Sequence, residues 1–202
     1  MKRRRTALIP LRRPIYIGCE GASEVGYAAL LQDLANEAGN SVFLKIEELA
    51  PGAGDPLARI EMAARRIEMQ RRKRTAPEAS FVFLDDDQNA REPERADRAR
   101  RMAAECGIRI VWQIPCFEAV LLRHLPDRAA RRPPDTLRAQ QALEREWPEY
   151  RKPMNRALLG RRIDLAAVRR AAAVEPDLTD LLRCIGLPLE DRYDEPTPRH
   201  RR

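Results

Sequence analysis

The sequence predicts an α/β protein: a mainly parallel four-stranded sheet flanked by helices, carrying a helical C-terminal appendage. Three observations lead there. Four short runs are rich in branched and aromatic residues, amphipathic stretches at helical spacing separate them, and the pattern turns wholly helical after Arg131-Arg132-Pro133-Pro134. Strands that alternate with helices need crossover connections, and right-handed crossovers make neighbouring strands parallel.

Pro14-Ile15-Tyr16-Ile17-Gly18 reads as the first buried strand. The helix after it carries Tyr27, Leu30, Leu31, Leu34 and Ala38 on one face and is stopped by Gly39-Asn40. Ser41 to Ile46 is the second strand, and Leu57, Ile60, Ala64 and Ile67 mark a second helix that ends in the basic cluster Arg71, Arg72, Lys73 and Arg74. Ser80-Phe81-Val82-Phe83-Leu84, the clearest strand, runs into Asp85-Asp86-Asp87. A helix from about Glu92 to Cys106 turns Ala96, Ala99, Ala103 and Cys106 inward, and Ile108 to Trp112 forms the last strand. Pro115 suits the first turn of a helix reaching Leu125. Helices then cover roughly Thr136 to Trp147, Asp164 to Val174 and Asp177 to Ile185. The expected organisation is a basic arm over 1–13, an α/β core over 14–130, a helical appendage of the same domain over 131–187 and a polar tail over 188–202.

Composition narrows the function classes. Hydrophobic residues make up 44%, enough for one core, while charged residues reach 34% and the net charge is +7. Lys2, Lys45, Lys73 and Lys152 are the only lysines among 38 basic residues, so the excess is arginine, whose planar fork matches phosphate oxygens. Such a surface permits a polyanionic partner, and a genome rich in arginine codons produces the same bias. Cys19, Cys106, Cys116 and Cys184 follow no zinc-ribbon or CxxC spacing, which leaves reduced thiols as the expectation. With no apolar run long enough for a signal peptide or a membrane span, cytoplasmic residence and no membrane partner are expected.

In an open parallel sheet, sites form along the carboxyl ends of the strands. Glu20 follows the first strand and Asp85 the third, and Asp87 projects to the same side as Asp85 if the chain stays extended. Glu24 falls in the first turn of the following helix, and Glu118 in the first turn of the helix near Pro115, where it is a candidate catalytic or supporting carboxylate or one merely stabilised by the helix N-terminus. Clustered carboxylates repel one another unless protonated or bridged by a cation, and an all-oxygen ligand set suits Mg²⁺ or Mn²⁺. An acidic turn that merely caps a helix is the plainer reading of Asp85 to Asp87, and helix capping is the better reading of Ser23. His124 and His200 are the only histidines, which excludes a multi-histidine zinc centre, and no GxxxxGK[ST] or GxGxxG turn is present. His124 lies too far along its helix for the active edge and reads as a packed, satisfied histidine beside Leu121 and Leu125. Arg71 to Arg74 form a candidate nucleic-acid patch or a solvated helix end.

Four segments occur in a familiar order: Cys19-Glu20-Gly21-x-x-Glu24-x-x-Tyr27, Phe83-Leu84-Asp85-x-Asp87, Pro115-Cys116-Phe117-Glu118-x-x-Leu121-Leu122-x-His124, and Tyr150-x-Lys152. Together they resemble RloB-like proteins over about Ile15 to Ile185. Ile114 and Val120 depart from the family pattern, where asparagine and tryptophan are expected. The resemblance implies a Toprim-like domain in which Glu20 acts as acid/base and as a metal ligand with Asp85 and Asp87. It also implies Mg²⁺-dependent phosphodiester chemistry on DNA or RNA, with Lys152 as a nucleic-acid contact. A link to restriction or phage defence follows, with a defence-system partner protein as a further expectation. A catalytically silent nucleic-acid-binding or scaffold protein is the competing reading.

Overall fold

The computed structural model describes residues 12–49, 55–87, 89 and 92–189. The elements are β1 (Arg13–Cys19), α1 (Ala22–Glu37), β2 (Val42–Glu48), α2 (Pro56–Arg72), β3 (Ala79–Asp85), α3 (Pro93–Cys106), β4 (Ile108–Gln113) and α4 (Phe117–His124). After them come α5 (Thr136–Glu146), α6 (Arg156–Leu159), α7 (Leu165–Ala172) and α8 (Pro176–Ile185). The strands form one four-stranded sheet in the order β2-β1-β3-β4, and each neighbouring pair is parallel. This is the expected fold class, and it is consistent with a Toprim-like fold.

Alternation along the strands builds two cores. Ile15, Ile17, Cys19, Phe81 and Phe83 face α1 and α4, whereas Tyr16, Val82 and Leu84 face α2 and α3. Leu143 of α5, Leu159 of α6, Val168 of α7 and Leu181 of α8 enter the first core, so the late helices pack into the same apolar interior as the sheet. Asp85 continues the Phe81, Phe83 alternation and therefore turns toward α1 and α4. From β1 the chain proceeds outward to β2 and then returns to β3 on the other side. The order thus reverses between β1 and β3, the place where ligands bind in open α/β sheets.

Several local expectations are corrected. Ala38 is exposed as the C-cap of α1, because the helix ends at Glu37 and Gly39 takes φ +75°. Pro115 lies outside α4, whose N-cap is the extended residue Cys116. Arg13 belongs to β1 and not to an arm; its guanidinium donates to the Cys184 carbonyl at 3.0 Å and pairs with Glu78 at 3.4 Å. Arg12 is exposed, and residues 1–11 of the expected arm and 190–202 of the tail lie outside the described residues. All four cysteines are free, with Cys19 and Cys116 buried. Among the described residues, no helix is long and apolar enough to cross a membrane.

Candidate active site

The switch point between β1 and β3 brings carboxylates together. Asp85 closes β3, and its Oδ1 accepts the Phe117 N–H at 2.9 Å, supplying the side-chain cap that Cys116 does not give to α4. Glu20 leaves β1, its Oε2 accepts the Asp85 N–H at 3.0 Å, and its Oε1 pairs with Arg59 of α2 at 3.1 Å. Glu24, in the first turn of α1, is only 6% exposed. Asp87 stands at the rim, where its Oδ2 accepts the Thr136 hydroxyl at 3.2 Å.

A second layer anchors Lys152. Glu118 is fully buried in the first turn of α4, and its Oε1 accepts the Tyr150 hydroxyl at 3.0 Å and pairs with the Lys152 ammonium. The segment bearing Lys152 is fastened to α1 from below. Ser23 Oγ accepts the Met154 N–H at 3.0 Å, so Ser23 tethers this segment and does not cap α1, whose N-cap is Gly21. At Gly26 a Cβ would collide with the Met154 carbonyl oxygen, so only glycine allows this approach. The result is a cavity of about 380 Å³ in which Glu20, Glu24 and Asp85 face Lys152, with Ser23 and Phe117 in the wall. Glu118 does not line it; Glu118 reaches the cavity through its ion pair with Lys152.

The electrostatics follow from this crowding. Asp85 is pushed up to about 9, first by burial and then by the negative charges of Glu20, Glu24, Glu118 and Asp87. Glu24 is pushed up to about 7, again chiefly by burial, with Glu20 and Glu118 adding to it. Burial also raises Glu20, against the opposing pull of the Asp85 N–H and Arg59. Burial acts on Glu118 too, but its hydrogen bond and ion pair with Lys152 outweigh it and hold the carboxyl below the usual range.

Donor chemistry at this edge fits a hard divalent cation: the groups lining the cavity include the carboxylates Glu20, Glu24 and Asp85, and burial with mutual repulsion raises the proton affinity of Asp85. Among the described residues, however, no set of three or more Asp, Glu, His or Cys side chains is arranged as a ready cation site. Glu20 is turned to Arg59 and Glu118 to Lys152.

Two further expectations are placed. Arg71 to Arg74 are exposed at the C-terminal end of α2, where Arg71 and Arg72 pair with Glu68 at 4.0 and 3.2 Å. The 17 residues of α2 run back along the sheet for about 25 Å, so this cluster sits at the opposite edge from the carboxylates and is not part of their site. A cavity of about 790 Å³ beside it, bordered by Met69, Met102 and Cys106, shares no lining residue with the carboxylate cavity. His124 is fully buried, its Nδ1–H donating to the Val120 carbonyl at 2.8 Å and its Nε2 accepting the Tyr27 hydroxyl at 2.9 Å. Burial pushes it down to about 4, which fixes the neutral ring as a packing element.

Sequence reasoning missed Arg59. Its place among the apolar positions Leu57, Ile60 and Ala63 of α2 is the signal that a buried counter-charge waits on another element. Fold and site define an α/β protein with a carboxylate cluster at the switch point of a parallel sheet. The chain belongs to the RloB-like protein family, whose model matches residues 15–181. No curated protein and no solved structure matched it.

Proposed function

We propose that the chain is a Toprim-type, Mg²⁺- or Mn²⁺-dependent nuclease. The observation that carries this reading is the meeting of Glu20, Glu24 and Asp85 in one cavity at the β1/β3 switch point, with Asp85 forced up to about 9 by burial and its acidic neighbours. Asp85, Asp87, Glu24 and Glu20 are the residues that would hold the ion, which when bound supplies charge neutralisation at the scissile phosphate and at the attacking water. Glu20, with its raised proton affinity, accepts the proton of the water as its oxygen bonds to phosphorus and returns it to the leaving oxygen as the P–O bond breaks. Lys152 presents its ammonium to the non-bridging phosphate oxygens from the far wall of the cavity. A role in restriction or phage defence rests on the family resemblance.

The silent-binder reading draws on the pairing of Glu20 with Arg59 and of Glu118 with Lys152, which leaves the edge internally neutralised in part. Labelled DNA, RNA and transfer RNA incubated with the purified protein separate the two. Cleavage with Mg²⁺ or Mn²⁺ that stops with chelator supports the nuclease; intact strands under every metal condition, with retained binding, support the binder.

A further inference from the structure

Five of the arginines that the carboxylate site does not use line one cleft. A cleft of about 390 Å³ lies between the C-terminal half of α4, the loop that follows it and α5. Its lining holds Arg128, Arg131, Arg132, Arg138 and Arg145, with Glu146 as the single carboxylate. Glu146 is taken by Arg128 in a two-pronged pair of 2.8 and 3.1 Å. Arg132 donates only to neutral acceptors, the carbonyls of Ala129, Arg131 and Val174, and Arg145 donates to that of Gln141. Arg131 and Arg138 are exposed and make no ion pair with any described residue. Asp127 and Asp135 are on the same loop but do not line the cleft.

This wall is held in place and tied to the carboxylate edge. Buried Arg123 pairs with Glu175 at 2.7 Å and donates to the carbonyls of Arg131 at 3.1 Å and Ile114 at 2.6 Å, pinning the loop to the β4–α4 junction. Thr136, the first residue of α5, bonds Asp87. Leu122 in the cleft wall is about 7.5 Å along α4 from Phe117, whose N–H bonds Asp85, so the cleft lies close to the carboxylate edge.

Resting on the nuclease reading of the carboxylate edge, we propose that this cleft binds the phosphate backbone of the nucleic-acid substrate beside the scissile position. Guanidinium forks without carboxylate partners suit phosphate oxygens, and the cleft continues the path of a strand whose reacting phosphate lies at Asp85. Its concavity admits a strand, whereas a flat anionic membrane surface meets only the rim.

The test is fluorescence anisotropy with short labelled single-stranded DNA, RNA and duplex DNA across a salt series, in chelator so that cleavage plays no part. Arg131→Ala/Arg138→Ala is compared with wild type, with Arg71→Ala/Arg72→Ala as the distant control and melting curves confirming the fold. The expected result is an affinity loss of about tenfold or more and a salt slope shallower by about two, near one unit per lost phosphate contact, with the distant control unchanged. Arg131→Glu/Arg138→Glu loses more. Unchanged affinity and slope in both cleft variants overturns the proposal. So does wild-type binding to phosphatidylserine vesicles or polyglutamate as tight as to the oligonucleotides, or no binding to any oligonucleotide. Weakened binding by the variants of a protein that never cleaves keeps the cleft and rejects the nuclease; cleavage with metal by variants whose binding is intact keeps the nuclease and rejects the cleft.

Discussion

Asp85 and Glu20 touch each other, yet their substitution has opposite consequences for stability. In Asp85→Asn the amide oxygen still accepts the Phe117 N–H, while the cost of keeping a carboxyl protonated above its ordinary range, imposed by burial and four acidic neighbours, is gone. Stability at pH 8 is expected to rise by on the order of 1–3 kcal/mol in a denaturant titration. Glu20→Gln instead strands the buried Arg59, and is expected to cost about 3 kcal/mol. Adding Arg59→Met to Glu20→Gln restores much of that loss; additive losses in this double-mutant cycle contradict the pairing. The Glu20 and Asp85 positions were legible in the sequence, because each follows a strand and strand ends converge. Arg59 and the tether at Ser23 were not, since each is explained only by a partner on another element.

At the scale of elements, period-two and helical spacing located the four strands and most of the helices, because each apolar face has its own periodicity. The short α6 is too brief to show one; its start is marked by Asn155, whose side chain accepts the Leu158 N–H at 3.0 Å. Pro115 misled for a related reason: the cap of α4 comes from Asp85 on β3, a partner that local sequence cannot announce. The docking of the Lys152 segment on α1 gives an element-scale prediction. Gly26→Ala forces the Met154 backbone away, costing about 1–3 kcal/mol and lowering cleavage as Lys152 leaves the cavity. Wild-type melting and cleavage in Gly26→Ala contradict this packing.

Across the whole molecule, the raised carboxyls set the pH dependence. Asp85 and Glu24 hold protons in the native state, up to about 9 and about 7, that the unfolded chain has already released. The native protein therefore binds more protons in that window, and their contribution makes stability fall as pH rises from the ordinary carboxylate range near ~4 toward 9. Glu118, held low by Lys152, and Asp55, the N-cap of α2 held low by its hydrogen bond from Arg95, act the other way, and their stabilisation is lost only in acid. Melting temperature is expected to decline from pH 6 to pH 9 in chelator, and Mg²⁺ is expected to raise it more at the alkaline end. A rise without metal contradicts the crowded-carboxylate account.

The central claim is that the β1/β3 edge performs metal-dependent phosphodiester cleavage through Asp85. Its most direct test is a side-by-side cleavage assay of wild type and Asp85→Asn on labelled DNA and RNA, with Mg²⁺ or Mn²⁺ and with chelator. The account predicts cleavage by wild type with metal only, and none by a folded Asp85→Asn protein of equal or greater stability. Cleavage by Asp85→Asn at the wild-type rate, or wild-type cleavage that survives chelator, would contradict it.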